Sequence, residues 1–250
     1  GALGFGWALP SPQGSLHMAF TNLYPGVSTS SAGLGLDMPL FNPVDQAVFF
    51  DDFFKYLPSA TDWVLTETQA GATQALASGQ GGRLLFTNSA ADNDLVSIQH
   101  ASTCFALAAG KRVWMQTRFQ ISDATQTDVF IGLAATDTSP IATVPSDFVA
   151  FTKDDEATTL NLKSAGSSTP ILSLTSQGTF TAATDITAGF FYDGVSKLFV
   201  YVNNVLVSTT TAAFASLFPS AVMSPIIALQ NGDAVARTMN IDYLLIATDR

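Results

Sequence analysis

Charge is scarce in this chain. Lys and Arg number 10 and Asp and Glu 20 in 250 residues, so charged side chains make up 12% of it, about half of the roughly 25% usual for a globular domain. A surface so thinly charged, on a chain that is 47% hydrophobic, is expected to be covered in part by other subunits. No Lys or Arg precedes Lys55, the net charge is −10, and no later run gathers cations. Without a basic surface for phosphates, the sequence excludes nucleic acid as a partner. Cysteine occurs once, as Cys104, which excludes an internal disulfide framework and a cysteine-based zinc cluster. Its setting, "STCFALAAG", predicts a buried and inert thiol. No apolar run approaches the ~18 residues that cross a bilayer, and "GALGFGWALPSPQG" lacks the basic start of a signal peptide. The expectation is a protein made in the host cytoplasm, its initiator Met removed ahead of Gly1, that engages no membrane.

What is present divides the chain at residue 48. Residues 1–48 carry Gly and Pro every few positions, and their apolar side chains, Phe5, Trp7, Leu16, Phe20, Leu34, Leu36, Leu40 and Phe41, follow no period of 2 or 3.6. Disordered tails are poor in aromatics and rich in charge, and this segment is the reverse. It reads as an ordered, extended arm lying on its own domain or on a neighbour. Residues 49–250 read as one β domain. In "KRVWMQTRFQI", Val113, Met115, Thr117, Phe119 and Ile121 share one face, and Arg112, Trp114, Gln116, Arg118 and Gln120 the other. "DWVLTETQAG", "GGRLLFTNS", "DLVSIQHAS", "DVFIGLAAT", "DFVAFTK", "ATTLNLKSA", "ILSLTSQG", "DITAGFFYD", "SKLFVYV", "VLVSTTT", "PIIALQNG" and "RTMNIDYLLIAT" read as further strands. One short helix is expected at "AAFASLF". Turn signals every ~8–15 residues suit an all-β sandwich. Asn203 and Asn204 stand between two β-branched runs, and since Asn tolerates positive φ they predict a two-residue hairpin turn.

That hairpin in "KLFVYVNNVLVSTT", followed by "MNIDYLLIATDR", resembles the C-terminal half of concanavalin-like jelly-roll sandwiches. "GKRVWMQTRFQISDATQTDVFIGLAATDT" with "DFVAFTK" resembles the central strands of that fold. Joined to "FFDDFFKYLPSATDWVLTETQAG", the combination is similar to the decoration, or cement, proteins of tailed bacteriophage heads, over Phe49 to Arg250. The resemblance implies a jelly-roll sandwich with an N-terminal arm. It also implies a place on the outer surface of the virion, with the major capsid protein and copies of the chain itself, as a trimer, for partners. β-sandwiches host unrelated functions, so the fold alone assigns no role.

Catalysis finds little to work with. Glycoside hydrolysis needs two carboxylates across the bond, commonly at alternate positions of one strand. Glu67 and Glu156 are the only glutamates, and neither stands in an alternating acidic run. His17 and His100 are isolated, and no nucleophile motif surrounds His100 with Ser97 or Ser102. "KDDEATT", with Asp154, Asp155 and Glu156, reads as a solvated turn. Asp92, Asn93 and Asp94 in "AADNDLV" have the hardness calcium prefers but lack the ligand number and the glycine of a calcium loop, and they too read as a polar turn. Gly79, Gly81 and Gly82 precede a strand rather than a helix, which does not suit phosphate.

"FFDDFFKYL", Phe49 to Leu57, sets Asp51 and Asp52 among phenylalanines. Either the acids form a site, or Phe49, Phe53 and Phe54 anchor the start of the sandwich while the acids point outward or cap the turn; the second reading is favoured, because no partner for a site is evident. The chain is therefore expected to be no enzyme and to have no catalytic, cofactor or metal residues. Its work would be cementing a capsid from outside, with Trp7, Phe20, Tyr24 and Phe41 of the arm as intersubunit anchors. The alternative is a glycan-binding module of a tail or fibre, presenting Trp63, Trp114, Tyr192 or Tyr201 to a surface glycan. Trp114 leads that group because it shares the polar face of its strand.

Overall fold

The structure, a computed structural model, describes residues 43–78 and 81–250. The anchors expected at Trp7, Phe20, Tyr24 and Phe41, together with His17 and Gly79, lie outside the described residues. Along the chain run β1 (Gln46–Asp51), β2 (Trp63–Glu67), β3 (Thr73–Leu76), β4 (Leu84–Thr87), β5 (Leu95–His100), β6 (Phe105–Ala106), β7 (Val113–Ile121) and β8 (Thr127–Ala134). They continue as β9 (Phe148–Lys153), β10 (Thr159–Gly166), β11 (Thr169–Thr179), β12 (Ile186–Tyr192), β13 (Lys197–Val202), β14 (Val205–Thr211), β15 (Val222–Asn231) and β16 (Thr238–Asp249).

These strands form two antiparallel sheets. The first has the order β14-β13-β12-β7-β16-β4-β3, with β1 beside the second half of β16. The second has the order β11-β10-β9-β8-β15-β5-β2, with β6 on the start of β15. The all-β sandwich expected from the sequence is what forms. The alternation of β7 explains why: Val113, Met115, Phe119 and Ile121 enter the core between the sheets, where Val129, Ile131, Val149 and Phe151 of the facing sheet meet them. Burying such side chains stabilises by about 1.5–3 kcal/mol each.

Two expectations of the sequence shift, and two short strands have no counterpart in it. β1 begins at Gln46, ahead of the boundary drawn at residue 48. The helix of "AAFASLF" shrinks to a single 3-10 turn, Phe214–Ser216. Strands β3 and β6 carry too few residues for a period to show. At the tip of the β13–β14 hairpin, Asn203 and Asn204 take φ of 49° and 64°. The Asn203 side chain also accepts a bond from the Thr187 amide at 2.9 Å, so this turn is fastened to β12 as well as shaped for its own strands.

The "FFDDFFKYL" question is answered at the end of β1. Asp51 accepts the Phe53 amide on one carboxylate oxygen at 2.8 Å and the Trp63 indole N–H on the other at 2.8 Å. It therefore caps the turn and ties β1 to β2, and burial pushes its carboxyl above the usual range. Phe53, at φ 51°, turns fully inward beside Trp63. Gly82 makes this possible: a Cβ there would stand 2.5 Å from the Asp52 carbonyl oxygen and 2.8 Å from that of Phe53. Phe54 departs from the expectation. It is 66% exposed, because the left-handed turn at Phe53 sends consecutive rings to opposite sides.

Candidate functional site

The two outer faces of the sandwich differ in chemistry. On the second sheet, β8, β9 and β15 point Phe130, Phe148, Ala150, Ile226 and Ala228 away from the core, yet these are buried as well. The segment after β8 returns over them. Gln99 of β5 holds it, donating to the carbonyls of Ala134 and Ala135 at 3.2 and 3.0 Å and accepting the Asp137 amide at 2.9 Å, and Ile141 packs onto the cluster. The chain's own loop covers the middle of this face, and a 270 Å³ apolar pocket lined by Val144, Phe148, Ala165 and Pro170 stays open beside it.

The outer face of the first sheet is open and polar where β4, β7 and β16 lie side by side. An open recess of 670 Å³ is lined by Ser78, Gly81, Arg83, Arg118, Gln120, Asn240 and Asp242. β4 follows Arg83, β7 supplies Arg118 and Gln120 from its polar face, and β16 supplies Asn240 and Asp242 where its pairing with β7 slips between Ile241 and Tyr243. Asp185, immediately before β12, joins the arginines. Arg83 grips it with two parallel bonds of 3.0 and 2.8 Å, and Arg118 donates to it at 2.6 Å. Arg118 also reaches Asp242 at 3.1 Å, and Arg83 lies 3.8 Å from it. The Arg83 bond, with Arg118 beside it, holds the Asp185 carboxyl below the usual carboxylate range. Two cations and two anions cancel here. A general-acid pair would need one carboxyl held protonated at neutral pH, and arginine contact does the opposite. Beside the recess, burial pushes the Tyr243 hydroxyl up to about 12, and the Phe50 ring lies 6.2 Å from that of Tyr243. The Asn240 Oδ1 is buried without a hydrogen-bond partner.

The residues singled out in the sequence fall elsewhere. Trp114 does sit on the outer face of the first sheet, but it is 7% exposed. Phe191 stacks on it at 5.3 Å and the Arg112 guanidinium covers its ring at 5.0 Å. As an open platform for a sugar it is a correction: the outer face of this sheet has an apolar cluster of its own, with Tyr201 and Ala247. Trp63, Tyr192 and Tyr201 are also buried. Cys104 is exposed rather than buried, since it precedes β6 at a sheet margin, and desolvation still raises its thiol above the ordinary value. His100 packs against Phe49 and Trp63 and bonds the Ser102 backbone.

The acidic turn after β9 is filled by its own lysine. Lys153, 1% exposed, donates to the carbonyls of Thr125, Thr127 and Asp154, Asp154 pairs with Lys163 at 2.8 Å, and Asp128 accepts the Asp155 amide at 2.6 Å. Among the described residues no three His, Cys, Asp or Glu side chains gather as a metal group, and no helix is long and apolar enough to cross a membrane.

Compared by sequence, the chain matches no family model and no curated protein. Its backbone is similar to that of the endo-1,3-β-glucanase of Streptomyces sioyaensis, at 13% identity and a TM-score of 0.58, over 84% of this chain and 98% of that one. This is a concanavalin-like jelly roll. A protein of unknown function, SO2946 of Shewanella oneidensis MR-1, is similar at 13% identity and a TM-score of 0.57, over 82% and 87% of the two chains. Peanut lectin is similar at 12% identity and a TM-score of 0.54, over 82% and 97%. At such identities the jelly roll is shared and the chemistry is not implied.

Sequence reading brought Arg118 and Gln120 to the correct face of β7. It had no means of joining them to Arg83, Asp185 and Asp242, which are remote in the chain and meet only because β4, β16, β7 and β12 are neighbours in one sheet.

Proposed function

We propose that this jelly roll is a non-catalytic structural subunit that binds the outside of a virion shell and bridges neighbouring shell subunits, acting as a homotrimer. The observation that carries the reading is an apolar margin at the N-terminal side of the sandwich. Phe50 is 47%, Phe54 66% and Leu57 74% exposed, and Val48 of β1 and Val64 of β2 are exposed as well. β1 pairs only with β16 among the described strands, so this margin also includes an open backbone edge. Exposed apolar groups concentrated in one stretch mark a surface that is covered in the assembled state, and aromatic anchors dominate such contacts. The margin follows directly on the arm that the sequence reserves for neighbours. The net charge of −10 suits the exterior of a particle packed with DNA better than its interior. Symmetry multiplies a modest contact over every copy.

The test is a triple variant, Phe50→Ser, Phe54→Ser and Leu57→Ser. The expected result is a melting temperature within a few degrees of the unmodified protein, together with loss of incorporation into particles. Incorporation at the unmodified level would overturn the reading.

A second reading is favoured by the recess around Arg83 and Arg118. Its charges cancel and its rim is amide and hydroxyl, which suits a neutral polyhydroxylated glycan, and the fold is shared with a glucanase and a lectin. Arg118→Ala is expected to abolish such binding in a titration against neutral oligosaccharides. No heat or spectral change with any of them for the unmodified protein would end this reading.

A further inference from the structure

The loop between β4 and β5, and the end of β15, hold an oxygen-rich spot that neither the recess nor the apolar margin uses. Asp94 is fully buried. Its carboxylate accepts bonds from the Thr68 hydroxyl at 3.0 Å and the Ser89 amide at 2.6 Å. Among the described residues no Lys, Arg or His comes within ion-pair distance of it. The Asp94 carbonyl joins the network, taking bonds from Asn88 Nδ2 at 2.6 Å and from the Asn231 amide at 3.0 Å. Asn231 Nδ2 donates to the carbonyls of Ser89 and Ala91 at 2.7 and 2.9 Å.

Both amide NH₂ groups are thus committed to carbonyls, which settles the orientation of the two side chains and leaves their oxygens over. Asn88 is 1% and Asn231 0% exposed. Asn88 Oδ1, Asn231 Oδ1 and Ser89 Oγ have no hydrogen-bond partner. A buried acceptor left unmatched is costly, and a buried carboxylate without a cation more so. Water would satisfy the acceptors but bring no charge to Asp94, whereas a cation does both. The donors are all oxygen, one of them anionic, with no nitrogen or sulfur, which selects a hard ion.

We infer that this spot binds one hard cation of the Ca²⁺ class and so ties the β4–β5 loop to the end of β15. With a single carboxylate the affinity belongs to the weak end for such sites, a Kd of about 10⁻⁴–10⁻³ M. The test uses the full chain, stripped with EDTA and dialysed, then titrated with CaCl₂ to about ten times the upper Kd. Uptake of one Ca²⁺ per chain by equilibrium dialysis and a melting temperature raised by roughly 3–10 °C are expected.

Ser89→Ala is the discriminating variant. The hydroxyl has no protein partner, so without metal the variant is expected to melt within about 2 °C of the unmodified protein while binding Ca²⁺ several-fold more weakly. Asp94→Asn is expected to lose uptake. No Ca²⁺ uptake by the unmodified protein would overturn the inference and leave the spot to buried water. Equal uptake by the unmodified protein and both variants would overturn it by placing the ion elsewhere.

Discussion

Replacing Phe53 and Phe54 one at a time sets adjacent, chemically identical side chains against each other. Phe53 is 0% exposed and packs beside Trp63 at 6.2 Å, whereas Phe54 is 66% exposed. Truncating a fully buried phenylalanine removes its transfer free energy and leaves a cavity, at a cost of about 3–5 kcal/mol. For a domain of this size each kcal/mol moves the melting temperature by roughly 2–4 °C, so Phe53→Ala is expected to melt about 6–20 °C lower. Phe54→Ala is expected to change stability by less than about 0.5 kcal/mol, as surface substitutions do. Urea unfolding followed by tryptophan fluorescence reads both, and Trp63 reports directly on the Phe53 side. Equal midpoints for the two variants would refute the turn described for Phe53 and with it the claim that Phe54 belongs to a contact surface.

Other outcomes follow from single contacts. Burial pushes Asp128 up to about 6 from 3.8, so the native state keeps a proton that the unfolded chain releases, and its contribution to stability is lost as pH rises through that interval. Asp128→Asn, which keeps an acceptor for the Asp155 amide, is therefore expected to exceed the unmodified protein in stability at pH 7 by on the order of 1–2 kcal/mol after allowance for solvent screening. The two should converge below about pH 4, measured by denaturant midpoints across the range. At the β13–β14 turn, Asn204→Gly is expected to be neutral or stabilising by up to about 1 kcal/mol, because glycine adopts positive φ without strain. Asn203→Ala is expected to cost about 1–2 kcal/mol in the same assay, since it loses the bond to the Thr187 amide.

The legibility of the fold depended on where water lies. β7 could be read because its two faces meet different surroundings, core on one side and the polar recess on the other. β5, β8 and β15 are buried on both faces, so they appear in the sequence as apolar runs without a clear inward side, and nothing local announces that the loop carrying Ile141 covers them. Trp114 followed the alternation and still misled, since a residue on the outer face of a sheet can be covered there by Phe191 and Arg112. The recess was unreadable for a different reason. Its ion pairs join Arg83, Arg118, Asp185 and Asp242 across two strands and the approaches to two more, and no spacing encodes a lateral neighbour in a sheet. The oxygen-rich spot was half visible: Asp94 stood out in "AADNDLV", but Asn88 and Asn231 acquire their meaning only when β4 and β15 bring them to its carbonyl.

The most direct measurement of the central claim is immunogold electron microscopy of particles purified from the source culture, with an antibody raised against residues 49–250. The account predicts gold over the outer surface of the shell. Particles free of gold would contradict it.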